Sequence, residues 1–351
     1  MLHDLKVVEL AGVLAGPSVG LFFAELGAQV IKVENPKTEG DITRKWKLPV
    51  EDINAPTSAY FASVNWNKQH VFLDYTAQND LQQIYMLIKE AEILICNWKM
   101  YDSVKYKLDY ATIKKINPNI IYANISGFGE NDPRVAYDIV LQAETGWMFM
   151  NGTPETQAQK IPIAIVDLFA AHQLKEGILV AYIHKLKTGK GAFVSVSLYE
   201  AAIASLANQA ANYLNTGIIP QRTGSLHPNI APYGEIITTG DGNEFVLAIG
   251  TDKQFYALCV LIGCEDLIKD VRFNSNSSRV INRTILFELI KDTFLSFKSD
   301  DLIEKCITAN IPIGAIRNMQ EVFENSIASD LILKDEIGNR VRSVIFKISS
   351  E

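Results

Sequence analysis

The sequence predicts an α/β protein, a large domain with a mostly parallel sheet followed by a smaller α+β domain. Three observations point there. The first 33 residues read as strand, small-residue loop, helix and strand. Short apolar runs then alternate with helical patterns as far as residue 215. Beyond a Pro- and Gly-rich passage the text changes to a hairpin and further helices.

Taken in order, Lys6–Leu10 reads as a strand, Ala11–Pro17 as a loop, Ser18–Leu26 as a helix and Ala28–Val33 as a second strand. Gly27 follows the helix, where a left-handed cap is cheapest. Gly12, Gly16 and Gly20 are spaced four apart and do not make G-x-G-x-x-G. A loop at the carboxyl end of a strand suggests a nucleotide-like ligand, but this is not the usual dinucleotide loop. Apolar runs at 93–96, 120–125 and 161–166 have the length of buried parallel strands. Helical patterns occupy 77–90, 109–116, 168–186 and 198–215, which makes 1–215 a Rossmann-like domain. Residues 216–232, TGIIPQRTGSLHPNIAP, read as a linker. Residues 233–325 form the smaller domain, with a hairpin in EIITTGDGNEFVLAIG turning at Asp241-Gly242. Its helical patterns lie at 252–263, 279–297 and 299–308. A last segment, 326–351, carries the strand-like VRSVIFKIS.

Composition narrows the function classes. Apolar residues at 48% and charged residues at 21% suit an ordinary globular protein. No apolar run reaches the roughly 18 residues of a membrane helix. MLHDLKVVEL carries no basic n-region or cleavage pattern, so a cytoplasmic location is expected. A net charge of −7 without a basic run speaks against nucleic acid, though a small polyanion needs only a few local cations. Cys96, Cys259, Cys264 and Cys306 form no C-x-x-C pair and read as buried small hydrophobes in a reducing compartment. No metal site is expected.

Asp167 is the first candidate for chemistry. It follows IPIAIV and opens the helical pattern DLFAAHQL, where the dipole and free N–H groups favour an ionised carboxylate. From position alone it reads more readily as a helix cap than as a nucleophile. The histidines offer little. His172, five residues on, falls on another helix face, and His3, His70, His184 and His227 stand in no motif.

The opening LAGVLAGPSVGLFFAELGAQVIKVENP, followed by GDITR, closely resembles that of class III CoA-transferases. This family includes formyl-CoA and carnitine CoA-transferases, with the 2-methylacyl-CoA racemases as relatives. Six further blocks match in order: NWNKQHVFLD (65–74), ILICNW (93–98), NPNIIYANISGFGENDP (117–133), YDIVLQAETGWMFMNG (137–152), KTGKGAFVSVSLYEA (187–201) and IPIGAIRNMQEVFEN (311–325). The resemblance implies a homodimer of two interlocked rings. It also implies transfer of CoA from an acyl-CoA to a carboxylic acid, with CoA a substrate and no permanently bound cofactor. Family members run on past the position of Glu351 with a helix returning to the large domain, so the chain reads as a short variant or a truncated one.

On the same grounds Asp167 matches the family's nucleophile, and Tyr137, before Asp138, matches the transferase branch. The racemases carry His-Asp there, and a phenol, which ionises near pH ~10, is a poor partner for abstracting an α-proton. Val13, Leu14 and Ala15 match the loop along the pantetheine arm. Formyl-CoA transferases have glutamine where this chain has Leu14, which argues against oxalate specificity. For the phosphates the candidates are Lys37, Arg44, Lys68, Lys99 and Lys105, of which Lys68 matches the N-x-N-K lysine. Asn97-Trp98 matches the Asn-Phe at the adenine end. Asn208, Tyr213 and residues 225–235 are unranked contributors to an acceptor pocket. A racemase and a non-catalytic CoA-binding homologue remain the alternatives.

Overall fold

The structure, a computed structural model, describes residues 1–349. It divides into two compact units. One comprises 1–150, 158–220 and the described residues from 329 onward, and the other 151–157 and 221–328.

The larger unit is built on six strands: β1 (Lys6–Glu9), β2 (Gln29–Glu34), β3 (Gln69–Phe72), β4 (Ile93–Cys96), β5 (Ile121–Ser126) and β6 (Ala192–Ser197). All pairs are parallel, in the order β3-β2-β1-β4-β5-β6. Val7 pairs with Val30 on one side and Ile93 on the other. The order reverses between β1 and β4, so the loops leaving these strands diverge and open a crevice at the carboxyl edge. Both sheet faces are covered. Val7, Ile95 and Ala123 pack with Val19, Phe23, Ala170, Leu174 and Ile178 on one face. On the other, Val8, Leu94 and Tyr122 pack with Ile84, Ile88 and Ile113. The first face seats the helices Ala15–Glu25 and Ile165–Thr188 in one core, which fixes where both helices begin.

Several elements depart from the sequence reading. The first helix starts at Ala15, three residues before the expected Ser18. Gly16 and Gly20 serve its packing more than a turn. A Cβ on Gly16 would strike Ala11, and one on Gly20 would strike Glu9. The expected strand at 161–166 does not form. Gln142 takes the N–H of Ile161 and the carbonyl of Ile163 in place of a sheet partner, and the helix begins at Ile165. The single helix expected over 198–215 is two, Leu198–Ala204 and Ala207–Thr216, broken where Ala207 takes φ +46°. Gly27, at φ +92°, does close the first helix, bonding to Ala24 O.

In the smaller unit β7 (Tyr233–Thr238), β8 (Glu244–Ala248) and β9 (Ile313–Ala315) form an antiparallel sheet. Gly242 turns the hairpin at φ +85°, and Asp241 accepts from Thr239 and from the N–H of Ser299. Phe245, Leu247, Phe255, Leu258, Phe273 and Phe294 fill its core. The pattern at 279–297 resolves into Asn276–Ile281, Arg283–Ile290 and a 3-10 stretch, Lys291–Ser296.

Of the strand-like 341–349 only Val341 is extended, in β11 (Asn339–Val341), which pairs with β10 (Ile332–Lys334). The rest is held from the first helix. Glu25 accepts from the N–H groups of Ser343 and Val344, and from Arg340 at 2.6 Å. Burial alone would push Glu25 up, but these bonds outweigh it and keep its pKa below the usual range.

Candidate active site

The loop after β1 is the keystone of the crevice. Its backbone turns at Val13, a β-branched residue at φ +71°, which is a strained conformation. The strain is held from outside. Asp41 accepts from the Val13 N–H at 3.1 and 3.3 Å, and Gly12 and Asn97 exchange two hydrogen bonds, at 3.2 and 2.9 Å. Asp41 is itself fixed by Thr43 and by Lys32 at 3.1 Å. The indole of Trp98 donates to Leu10 O, and its ring centroid lies 4.9 and 5.4 Å from those of Tyr75 and Tyr106, both in edge-on packing.

Two cavities meet beside this loop. The smaller, about 230 Å³, runs from Asn97 and Trp98 past Gly127 to Asp167. The larger, about 850 Å³, is walled by Tyr60, Lys160, Ile163, Leu168 and the β11 residues Asn339–Val341. Val13, Leu14, Tyr137 and Asp167 line both.

Asp167 lies in the first turn of Ile165–Thr188, but it does not cap that helix. Asp138 does the capping, accepting the Val166 N–H at 2.8 Å while its other oxygen takes Gln142 at 2.6 Å. Among the described residues the Asp167 carboxylate has no hydrogen-bond partner, and its residue is only 7% exposed. Burial, with help from the neighbouring charge of Asp138, pushes its pKa from 3.8 up to about 7. The expected stabilisation of the ion by the helix terminus is thus outweighed by desolvation. Tyr60, in the larger cavity, is pushed up to about 12 by burial and by Asp167, Asp138 and Asp41, so it stays a neutral hydrogen-bond donor.

A desolvated carboxylate without partners, reachable from two sides, suits attack on a carbonyl far better than it suits structural capping. The family model described as CoA-transferase family III matches residues 2–335. The chain belongs to this family. It is 36% identical to a succinate–glutarate CoA-transferase of Agrobacterium fabrum over 92% of this chain and 81% of that one. It is 32% identical to the human succinyl-CoA:glutarate CoA-transferase over 92% and 73%. A crystal structure of a CaiB/BaiF family protein from Brucella suis superposes with a TM-score of 0.84 at 38% identity, covering 98% of this chain and 91% of that one.

Within this CoA-transferase, seven of the residues expected at the site surround one cavity: Val13, Leu14, Ala15, Asn97, Trp98, Tyr137 and Asp167. Four of the five expected phosphate ligands, Lys37, Arg44, Lys68 and Lys105, do not line it. Lys68 is fully buried between Glu9 (2.8 Å), Pro17 O (2.9 Å) and Asn65 (3.2 Å). Burial pushes it down to about 8 against the pull of Glu9. It belongs with Lys32 in an ionic cluster on Glu9 that braces the strand ends. Lys37 pairs with Asp74 at 2.7 Å on the surface. Lys105 is exposed over the Tyr106 ring. Arg44 is bound to Glu34 by two hydrogen bonds. Lys99 does line the smaller cavity, donating to Pro133 O at 2.6 Å. Asn208 and Tyr213 are exposed and line neither cavity.

Sequence reasoning missed three groups. Ser126, at the end of β5, is buried in the wall of the smaller cavity, and its hydroxyl has no partner among the described residues. Arg134 lines the same cavity, paired with Asp132 and Glu144 and stacked 3.5 Å over Phe128. Tyr60 belongs to no block of the resemblance. Ser126 and Arg134 sit in or beside one, NPNIIYANISGFGENDP, but nothing in the text separates them from their neighbours.

Proposed function

We propose that this CoA-transferase moves CoA from a dicarboxylic acyl-CoA to a second dicarboxylic acid, through covalent intermediates on Asp167. The observation that carries the reading is the position of Asp167, buried, unpartnered and lining both cavities. The smaller cavity takes the pantetheine end of CoA along Val13–Ala15, with the nucleotide end towards Trp98. The larger cavity takes the acyl group and the acceptor acid.

An Asp167 oxygen attacks the donor thioester carbonyl. The carbon–sulfur bond breaks, leaving a mixed anhydride on Asp167 and CoA thiolate. The thiolate attacks the aspartyl carbonyl and expels the donor as its carboxylate, giving an aspartyl-CoA thioester. The acceptor carboxylate then attacks that thioester, forming a new anhydride and releasing thiolate. Finally the thiolate attacks the acceptor carbonyl, which yields the acceptor's CoA thioester and restores Asp167. No water enters the balance, so the thioester energy is retained. The free N–H groups at the start of Ala15–Glu25 and the neutral Tyr60 phenol supply donors to developing oxyanions. Tyr137 closes the wall between the cavities.

The two relatives that act on succinate and glutarate, by their names, support the dicarboxylate class. The interlocked homodimer and the cytoplasmic location belong to the same reading. The test is CoA exchange between succinyl-CoA and glutarate, followed by the appearance of glutaryl-CoA. Wild type should turn over, and Asp167→Ala should fall by at least a thousandfold with near-unchanged CoA affinity. Retained turnover in that variant defeats the mechanism.

A further inference from the structure

The larger cavity has to receive an anion next to anions. Its wall already carries the carboxyl groups of Asp138 and Asp167. A dicarboxylate brings two further negative charges into a chain whose net charge is −7. Without a local cation that approach is repulsive, and the apolar part of the wall makes the repulsion stronger by excluding water.

Two cationic side chains line this cavity among the described residues, Lys160 and Arg340. Arg340 is committed elsewhere. Its side chain is 2% exposed, bound to Glu25 at 2.6 Å and to Ser63 O at 3.1 Å. Lys160 is exposed, and among the described residues its ammonium has only the carbonyls of Ile161 (3.3 Å) and Pro162 (2.8 Å), with no carboxylate partner. It stands at the head of the segment that leads into the Asp167 turn, and that segment is pinned by Gln142 to Ile161 and Ile163. The backbone that places the lysine is therefore tied to the one that places the nucleophile.

We propose that Lys160 is a specificity-determining residue, holding the far carboxylate of the acid whose near carboxylate, or thioester carbonyl, meets Asp167. This rests on the proposed reading of the two cavities and names the group in the larger one that selects diacids over monoacids. An ammonium at the end of a flexible stem acts as a point charge and accommodates diacids of neighbouring lengths.

Acid binding and adduct formation test it separately. Glutarate and pentanoate, matched in carbon number, are titrated calorimetrically into wild type, Lys160→Gln and Lys160→Arg. The expected result is a tenfold or greater weakening of glutarate binding in Lys160→Gln, unchanged pentanoate binding, and partial recovery in Lys160→Arg. Equal glutarate binding by wild type and Lys160→Gln overturns the proposal. So does an equal loss of both acids, which would mark a structural role, or a wild type that binds the two acids alike. In parallel, wild type and Lys160→Gln are incubated with succinyl-CoA and examined for an adduct on Asp167. Failure to form it with intact glutarate selectivity would sink the covalent reading and leave Lys160 standing. An adduct without selectivity would do the reverse.

Discussion

Replacing Asp167 by Asn removes a charge that the fold accommodates badly. In the native protein burial and Asp138 raise this carboxyl from 3.8 to about 7. At about 1.4 kcal/mol for each tenfold change, the ionised form is disfavoured by roughly 4 kcal/mol on folding. The sign follows from proton counting. Between about pH 4 and pH 7 the native state holds this proton and the unfolded chain has lost it, so stability falls as pH rises through that window. Above about pH 7 both states are ionised and the loss is complete. Asp167→Asn lacks this dependence. Urea unfolding from pH 4 to 9 should therefore give a variant-minus-wild-type difference that grows with pH by about 2–4 kcal/mol and then levels off. The activity profile of wild type should run the opposite way, with kcat/KM rising as Asp167 ionises near pH 7. Parallel stability profiles for the two proteins would refute the claim that Asp167 is desolvated. A turnover profile flat from pH 5 to 8 would refute its role as the ionised nucleophile.

Two other substitutions separate bracing from binding. Lys68→Ala strands Glu9 with one remaining partner, so it should cost about 3–5 kcal/mol in unfolding experiments. CoA affinity measured on the folded variant should be unchanged at low and high salt, and a salt-dependent loss would return Lys68 to the site. Ser126→Ala deletes a buried hydroxyl with no protein partner, so stability should hold or rise slightly. Binding of acyl-CoA should weaken roughly fivefold if the ligand satisfies that hydroxyl, worth about 1 kcal/mol. Lost stability with unchanged binding would make Ser126 a packing residue only.

The fold was legible where local signals and burial agree. The runs at 93–96 and 120–125 became β4 and β5 because both faces of a parallel sheet want continuous apolar text. The same criterion failed at 161–166. There Pro162, Ile163 and Ala164 line the larger cavity, and Ile163 is 54% exposed with its carbonyl bonded to Gln142. Periodicity does not distinguish a core from a ligand wall. In the site, the glycine-spaced loop marked the crevice, yet the turn itself falls on Val13, held by Asp41 from 28 residues away. The burial of Lys68 was hidden for a related reason. Its block matches the family in order, and only the three-dimensional neighbourhood reveals that Glu9 and Asn65 surround it. The cap of Ile165–Thr188 comes from Asp138, 28 residues upstream of Val166. That leaves Asp167 unpartnered, a fact no linear pattern carries.

The most direct test of the account is the mass of the protein itself. Wild type is mixed with succinyl-CoA, quenched in acid, digested and searched for modified peptides. A CoA or succinyl adduct confined to the peptide containing Asp167, and absent from Asp167→Asn, is the predicted result. Measurable CoA binding with no adduct, or an adduct on another carboxylate, would contradict it.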